Sequence, residues 1–527
     1  MVAASKLPVQ TVREGVDATD MAEAIFGNGV RVESASYNGD IDSAGIYSDG
    51  DTISPTATPG DSGVILSTGN VERFTNSSGS SNQSNSTSNN TTGQNNNSQF
   101  NAAAGTNTFD AAYLDVDFVP DHDKMTIQFV FSSEEYPEFQ NSIYQDFVGV
   151  WVNGSQVDMD VGNGDVDPGN VNTSNNINMF IDNQNDDYNT EMDGFTITLT
   201  LTMNVVPDEV NSIRIGIADV SDNRYDSNLL IAADTVQTEL IAISDNVRVF
   251  ADGTKTINVL DNDINEGPGT LTITHINGQE VTAGDTITLP TGQQVTLNAD
   301  GTFSVAGDGD EEDFNFTYSI ANDDGTDVGF VNATSVPCFV AGTMIKTTRG
   351  NTMVERLKPG DMVITKDDGP QPLRWIGTRT VAAMGKFAPI HIQPSTFGEH
   401  GHVLVSPLHR ILIRDTAAEL LFGEVEVLVC ARDLANGRSV CRREGGTVTY
   451  VHLMFDRHQV IFSEGLATES FLPGPQTTDV FESEIVDEIC AIFPEIDPDT
   501  GQGYSTAARR TLKKFEAELL CATGLAA

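Results

Sequence analysis

The chain has 527 residues and a net charge of −48, room for about three or four domains of ordinary size. Residues 1–337 hold 9 Lys/Arg against 52 Asp/Glu, and the remainder carries only −5. With no basic face to meet phosphates, the composition argues against nucleic-acid binding. It suits an extracellular or saline setting, where divalent cations offset self-repulsion.

The first 27 residues form an N-terminal segment with one helical pattern, Asp17 to Phe26, closed by Gly27-Asn28-Gly29. No apolar run of signal-peptide length lies between Met1 and Gly15, so the expectation is export without a cleavable leader. A domain over 28–236 follows. Its words Tyr113–Val119, Met125–Phe131, Phe195–Leu201 and Ile213–Ala218 alternate at period two, as half-buried strands do. This predicts a β-sandwich. Positions 75–99 are only Ser, Thr, Asn, Gln and Gly, a run too polar to offset its ordering entropy and expected as a mobile surface loop.

Within that domain, Phe129-Val130-Phe131-Ser132-Ser133-Glu134-Glu135-Tyr136-Pro137-Glu138-Phe139 and then Asp146–Gly154 resemble the choice-of-anchor L domain of bacterial surface and secreted proteins. The crowding of Glu134 and Glu135 makes them candidate ligands for Ca²⁺, with a solvated acidic turn as the plain alternative. Residues 240–336 read as a further β unit. Its phrase Asn258-Val259-Leu260-Asp261-Asn262-Asp263 resembles the cadherin-like and VCBS-type immunoglobulin-like modules of bacterial adhesins. Asp261 and Asp263 are again either Ca²⁺ candidates or turn residues.

All five cysteines lie at or after Cys338, an odd count in one region that does not describe a disulfide framework. Cys430 and Cys441 are spaced to pair across a hairpin or to stay free. Cys338-Phe339-Val340-Ala341-Gly342-Thr343 opens a new composition, followed by Val354-Glu355-Arg356-Leu357-Lys358-Pro359-Gly360-Asp361-Met362-Val363, Arg374-Trp375-Ile376-Gly377, Ser406-Pro407-Leu408-His409, Asp456-Arg457-His458-Gln459-Val460 and Glu469–Gly474. In this order the phrases resemble a Hint domain of bacterial type, the self-cleaving module shared by Hedgehog proteins and inteins, over residues 337–475. The resemblance implies a compact all-β fold. The fold class expected for the whole is therefore all-β and multidomain, with sandwich domains followed by the Hint-like fold and a short helical tail at 476–527.

The resemblance also implies chemistry. Cys338 attacks the carbonyl of Pro337 and turns the amide into a thioester. His409 serves the scissile nitrogen with Ser406 as its companion, and Asp456 and His458 are candidates for the thiol proton. No cofactor is called for. Six of the eight histidines fall between His391 and His458, which suits acid–base work. His400 and His402 also admit a metal reading, and His452 reads as a packed strand residue. An intein's closing His-Asn followed by Cys, Ser or Thr is missing near Gly474, so cleavage at one end is expected rather than splicing. The whole then reads as a secreted or surface protein with an adhesive acidic front, a surface ligand or acceptor nucleophile as partner, and no membrane span. The alternative is a structural adhesin with an inert Hint-like fold. The tail admits two readings, surface helices packed on the module or a secretion signal.

Overall fold

Alternating apolar residues build sheets here, and the front of the chain stacks two of them. The computed structural model describes residues 4–140, 142–162, 164–249, 254–308, 314–334, 339–383, 388–472, 492–493, 504–512 and 514–522. These residues fall into two compact units.

In the first unit an antiparallel sheet of five strands runs in the order Val30–Asn38, Thr108–Pro120, Asn211–Val220, Phe147–Val152, Ser155–Gln156. It faces a sheet of eight. There the path is Val9–Thr11, Ala44–Tyr47, Gly63–Ser67, Ser227–Ala232, Lys124–Ser133, Gly194–Thr196, Phe180–Asp182, with Leu199–Asn204 also paired to Lys124–Ser133. The two inner faces interdigitate as sandwich sheets do. Leu114, Val116, Phe118, Ile213, Ile215 and Ile217 meet Ile127, Phe129, Phe131, Leu199, Leu229 and Ile231 in one buried cluster.

Lys124–Ser133 is buried on both faces. Its other side, through Val130, shares a second core with Ile65, Phe74, Phe195 and Leu230. Residues 4–27 are part of this body. Val9–Thr11 is an edge strand, and the helix Ala18–Ile25, capped by Asp17 accepting from the Thr19 and Asp20 amides at 2.8 and 3.0 Å, buries Met21, Ala22 and Ile25.

The polar run 75–99, which composition predicts to be a mobile loop, makes hydrogen bonds to the rest of the domain. Asn82 Nδ2 donates to Asp193 Oδ1 at 2.7 Å, the Gln83 amide to Glu191 Oε2 at 2.8 Å, and the Asn89 amide to Asp226 Oδ1 at 2.7 Å. The run lacks apolar surface, but carboxylates elsewhere in the domain supply the acceptors that hold it.

The segment expected as a separate unit at 240–336 contributes two small sheets. One orders Thr254–Ile257, Phe303–Ala306, Gln294–Leu297 and Thr286–Thr288, and the other includes Thr326–Thr334, Phe314–Ala321, Thr272–Ile276 and Gln279–Glu280. Phe303 packs edge-on to Phe316 and Tyr318 between them. Residues 256–305 and 314–332 belong to the same compact unit as the sandwich. Thr126 Oγ1 donates to the buried Asp327 at 3.1 Å, and Gln128 Nε2 to the Thr326 carbonyl at 2.7 Å.

The second unit holds two further antiparallel sheets. The smaller orders Trp375–Ala382, Thr447–Met454, Phe339–Val340, Val403–Val405, Ile390–Ile392 and Val440–Arg442. The larger orders Pro370–Pro372, Met362–Ile364, Met344–Thr347, Val460–Ser463, Leu466–Glu469, Arg410–Arg414 and Glu426–Cys430, with Gly350–Met353 beside Met344–Thr347. Phe339, Ile345, Val405, Ile411, Val451 and Ile461 meet in its core.

Part of the tail joins this unit. Leu512 and, from the helix Lys514–Ala522, Ala517 and Leu520 lie in the same core. The Leu428 amide donates to the Arg510 carbonyl at 2.8 Å and the Leu512 amide to the Leu428 carbonyl at 2.9 Å. Over 504–512 and 514–522 the tail packs on this unit, with one helix, whereas 473–491 and 494–503 lie outside the described residues. Cys430, Cys441 and Cys521 are free thiols, with Cys430 on the larger sheet and Cys441 on the smaller.

Candidate functional site

The turn Ser406-Pro407-Leu408-His409 joins Val403–Val405 of the smaller sheet to Arg410–Arg414 of the larger. The His409 amide donates to the Ser406 carbonyl at 3.1 Å, and the His409 carbonyl accepts from the Ala431 amide at 2.9 Å. Both residues are buried, at 0 and 1 % exposure. Phe339 pairs with Val405 and Val451, and this register sets its ring 4.3 Å from the His409 imidazole. Neither ring nitrogen of His409 has a hydrogen-bond partner among the described residues. Burial lowers the His409 pKa to about 4, with Glu469 opposing and Arg410 and His458 adding to the shift. The imidazole is neutral across the physiological range.

Beside it lies a carboxylate that sequence reasoning missed. Glu469 is fully buried and accepts from the Arg410 amide at 2.8 Å and from Arg410 Nη1 at 3.2 Å. His458 Nε2 is 3.4 Å away. Burial alone would raise the Glu469 pKa, but Arg410 and His458 overcome it and bring it to about 2. Its strand, Leu466–Glu469, pairs with Arg410–Arg414 through Ile411 and Thr468, which brings the closing phrase of the domain next to the His409 turn. The signal was present in that phrase, but nothing in it revealed that its acid faces inward.

His458 is buried and engaged at both nitrogens. The Ala508 amide donates to Nδ1 at 2.9 Å, which leaves the proton on Nε2, 3.1 Å from the Ser470 carbonyl. The His458 amide donates to Ser505 Oγ at 2.7 Å, so the tail segment 504–512 orients this ring. Asp456 stands apart from this buried group. It is exposed and pairs with Arg374 at 3.4 Å. Pro337 and Cys338, the expected scissile pair, lie outside the described residues. His409, Glu469 and His458 thus form one buried electrostatic group, Ser406 joins it through the turn, and Asp456 is a surface residue.

Other histidines settle differently. His402 Nδ1 sits 3.0 Å from His391 Nε2 with the rings stacked. His400 instead accepts from the Phe397 amide at 3.2 Å and lies 2.6 Å from the Gly401 carbonyl. His452 packs its ring edge-on against Phe471.

In the first unit, the turn reading of Glu134 and Glu135 requires solvated side chains, yet they are 0 and 1 % exposed. They also face different groups. Glu135 Oε2 accepts from the Asp146 amide at 2.8 Å, and its charged neighbours are Asp219, Asp222 and Asp167. Those of Glu134 are Asp193 and Glu191. Burial raises both glutamates to about 9. Asp261 is exposed and accepts from Asn258. Asp263 Oδ1 accepts from the Ile243 amide at 2.8 Å and the Tyr318 hydroxyl at 2.9 Å. Among the described residues, no three His, Cys, Asp or Glu side chains come together as a ready metal-ligand set.

Comparison with known proteins agrees with these two bodies. Residues 337–475 match the Hint domain family and residues 9–237 the choice-of-anchor L domain family. The chain is similar to the gp41-1 intein crystal structure at 10% identity, over 25% of this chain and 98% of that one, with a TM-score of 0.19. It is similar to extracellular domains 3–5 of Drosophila OTK at 11% identity, over 51% of this chain and 85% of that one, with a TM-score of 0.15. No curated protein sequence matches it. No helix among the described residues is long and apolar enough to cross a membrane. At the level of families, the two matches describe a surface or extracellular protein carrying an autoprocessing-type domain.

Proposed function

We propose that this chain, a choice-of-anchor L domain joined to a Hint domain, cuts itself at Pro337-Cys338 and so releases or transfers its acidic, adhesive front. In the first step the Cys338 sulfur attacks the Pro337 carbonyl carbon. A C–S bond forms, the C–N bond breaks, and the thiol proton ends on the freed amine of Cys338. Water, an amine or an alcohol then attacks the thioester and returns the thiol.

The observation that carries this reading is His409, buried, neutral and with no hydrogen-bond partner at either nitrogen among the described residues, against the ring of Phe339. Phe339 is bonded directly to Cys338, and consecutive Cα atoms are about 3.8 Å apart. A neutral imidazole against the residue that follows Cys338 is suited to accept a proton on one nitrogen and donate from the other. Glu469 favours the imidazolium that forms in passing. His458 positions Glu469, while Asp456 acts from the surface.

The test is intact-mass analysis of the purified chain with and without dithiothreitol. The parent yields two fragments, with the thiol accelerating release of one that ends at Pro337, and Cys338→Ala stays whole. Equal fragmentation of mutant and parent, or an uncut parent in both conditions, leaves an inert Hint fold.

A further inference from the structure

In the first unit, Ser133 at the end of Lys124–Ser133 pairs with Gly194 on one side and Ser227 on the other. Continuing both registers one step sets Asp193 and Asp226 opposite Glu134, and the Glu134 amide does donate to the Asp226 carbonyl at 3.2 Å. Side chains directly opposite on antiparallel strands stand about 4.5–5.5 Å apart at Cβ, and like charges there repel. Three buried carboxyl groups therefore form a row, at 2, 0 and 3 % exposure for Asp193, Glu134 and Asp226.

The row is unevenly satisfied. Asp226 has both oxygens occupied by Asn89, through its amide at 2.7 Å and its side chain. Asp193 uses Oδ1 for Asn82 at 2.7 Å, but its Oδ2 has no partner among the described residues. Among the same residues neither oxygen of Glu134 meets a donor at full hydrogen-bond geometry, although the Thr87 hydroxyl and amide lie close enough to act on it, and the buried Ser132 hydroxyl two residues earlier on the same face is unpartnered too. The charges acting on Glu134 and Asp193 are all acidic: Asp193 and Glu191 on the first, Glu138, Asp182 and Asp186 on the second.

We propose that Glu134, Asp193 and the Ser132 hydroxyl bind a hard divalent cation of the Ca²⁺ class, walled in by the Ser/Asn run that begins at residue 75. Four buried oxygens on one face of the sheet, two of them from one carboxylate, suit Ca²⁺, which takes 6–8 oxygen ligands in flexible geometry; Mg²⁺ demands a near-ideal octahedron and keeps its waters. The neighbouring polar run has carbonyl and amide oxygens to complete the shell. Two carboxylates and neutral oxygens make up the site, so it is compatible with the absence of a three-acid set. Glu135 belongs to a different group and is not a ligand.

The site is tested on the full chain carrying Cys338→Ala, which keeps the front attached whether or not the proposed cleavage is real. Protein stripped with chelator is titrated calorimetrically with CaCl₂ at pH 7.5, and its melting temperature is read in Ca²⁺ against Mg²⁺ at matched ionic strength. Saturable binding is expected, with a Ca²⁺-specific rise in melting temperature. Glu134→Gln and Asp193→Asn should each weaken it at least tenfold, and Asp263→Asn should leave it intact. A parent that shows neither saturable heat nor a specific shift overturns the proposal, whatever the variants do. Unchanged affinity in both Glu134→Gln and Asp193→Asn overturns it equally, because the row would then be neutralised by protons.

Discussion

Glu469 and Glu134 are both 0 % exposed, and their surroundings treat them in opposite ways. Glu469 has Arg410 and His458 within 3.4 Å, and its pKa falls to about 2. Glu134 has only acids for charged neighbours, and its pKa rises to about 9. Burial penalises the charged form in both places, and a fixed cation decides which sign wins. The Hint domain builds its counter-charge from its own side chains. The front, with 9 Lys/Arg against 52 Asp/Glu, has few to spare and must take protons or metal ions from solution.

His409 gives the largest expected effect. If the buried group on the Hint side is catalytic, His409→Ala removes the one imidazole beside Phe339. Cleavage should slow by about 10²–10⁴, the usual cost of losing a placed proton-transfer group, with the cut unmoved. Intact-mass time courses read the rate. Because His409 is already neutral down to about pH 4, the parent's rate should climb with thiolate formation from pH 6 to 8 with no break near 6.5. A break there, or a variant cutting at the parent rate, would reduce the Hint side to a structural network.

The pH dependence of stability sharpens the comparison, since the two sides run in opposite directions. Glu469 has a depressed pKa, so its stabilisation is complete above about 4.5 and is lost as pH falls towards 2. His409, also depressed, costs stability as pH falls from 6.5 to about 4, where the unfolded chain takes up a proton and the folded one does not. Glu134 and Glu135 have raised pKa values. They hold protons in the folded state, so the front loses stability as pH rises from 4.5 to about 9. Thermal melts of Cys338→Ala in chelator should show acid weakening the Hint transition and alkali the front's. Glu469→Gln, which removes the charge from the bonds that Arg410 and His458 make to it, should cost the Hint domain about 1.5–3 kcal/mol, the usual worth of a hydrogen bond to a charged group. Both transitions moving the same way with pH would erase the contrast.

The sandwich strands were legible because period-two alternation is local, and the Hint fold through its phrases in order. Tyr113–Val119 and Ile213–Ala218 lie within two neighbouring strands, and Ser406 and His409 on one turn. What the sequence hid is contact across distance. Glu134 and Glu135 are neighbours in the chain but face different groups in the turn that follows Lys124–Ser133. Glu469 meets Arg410 across 59 positions, and the polar run 75–99 is fixed by Asp193 and Asp226, more than a hundred residues on. Composition described the run's own lack of apolar surface and could not describe the acceptors waiting for it.

Asp456 gives the smallest expected effect and tests where the buried group ends. The Hint resemblance makes it a candidate for the thiol proton, while the geometry puts it in solvent against Arg374 at 3.4 Å, with side-chain exposures of 55 and 41 %. A surface ion pair of that kind contributes about 0–1 kcal/mol. It is screened by salt, so Asp456→Asn should leave the melting temperature of the Hint domain within a few degrees of the parent. Its effect on cleavage should stay below tenfold and fade at high ionic strength, since an exposed carboxylate acts on the thiol only through water. His409→Ala measured alongside gives the scale. If Asp456→Asn instead slows cleavage as much as His409→Ala at every salt concentration, Asp456 touches the reacting atoms. The reacting centre would then extend from the buried histidine out to the surface of the domain.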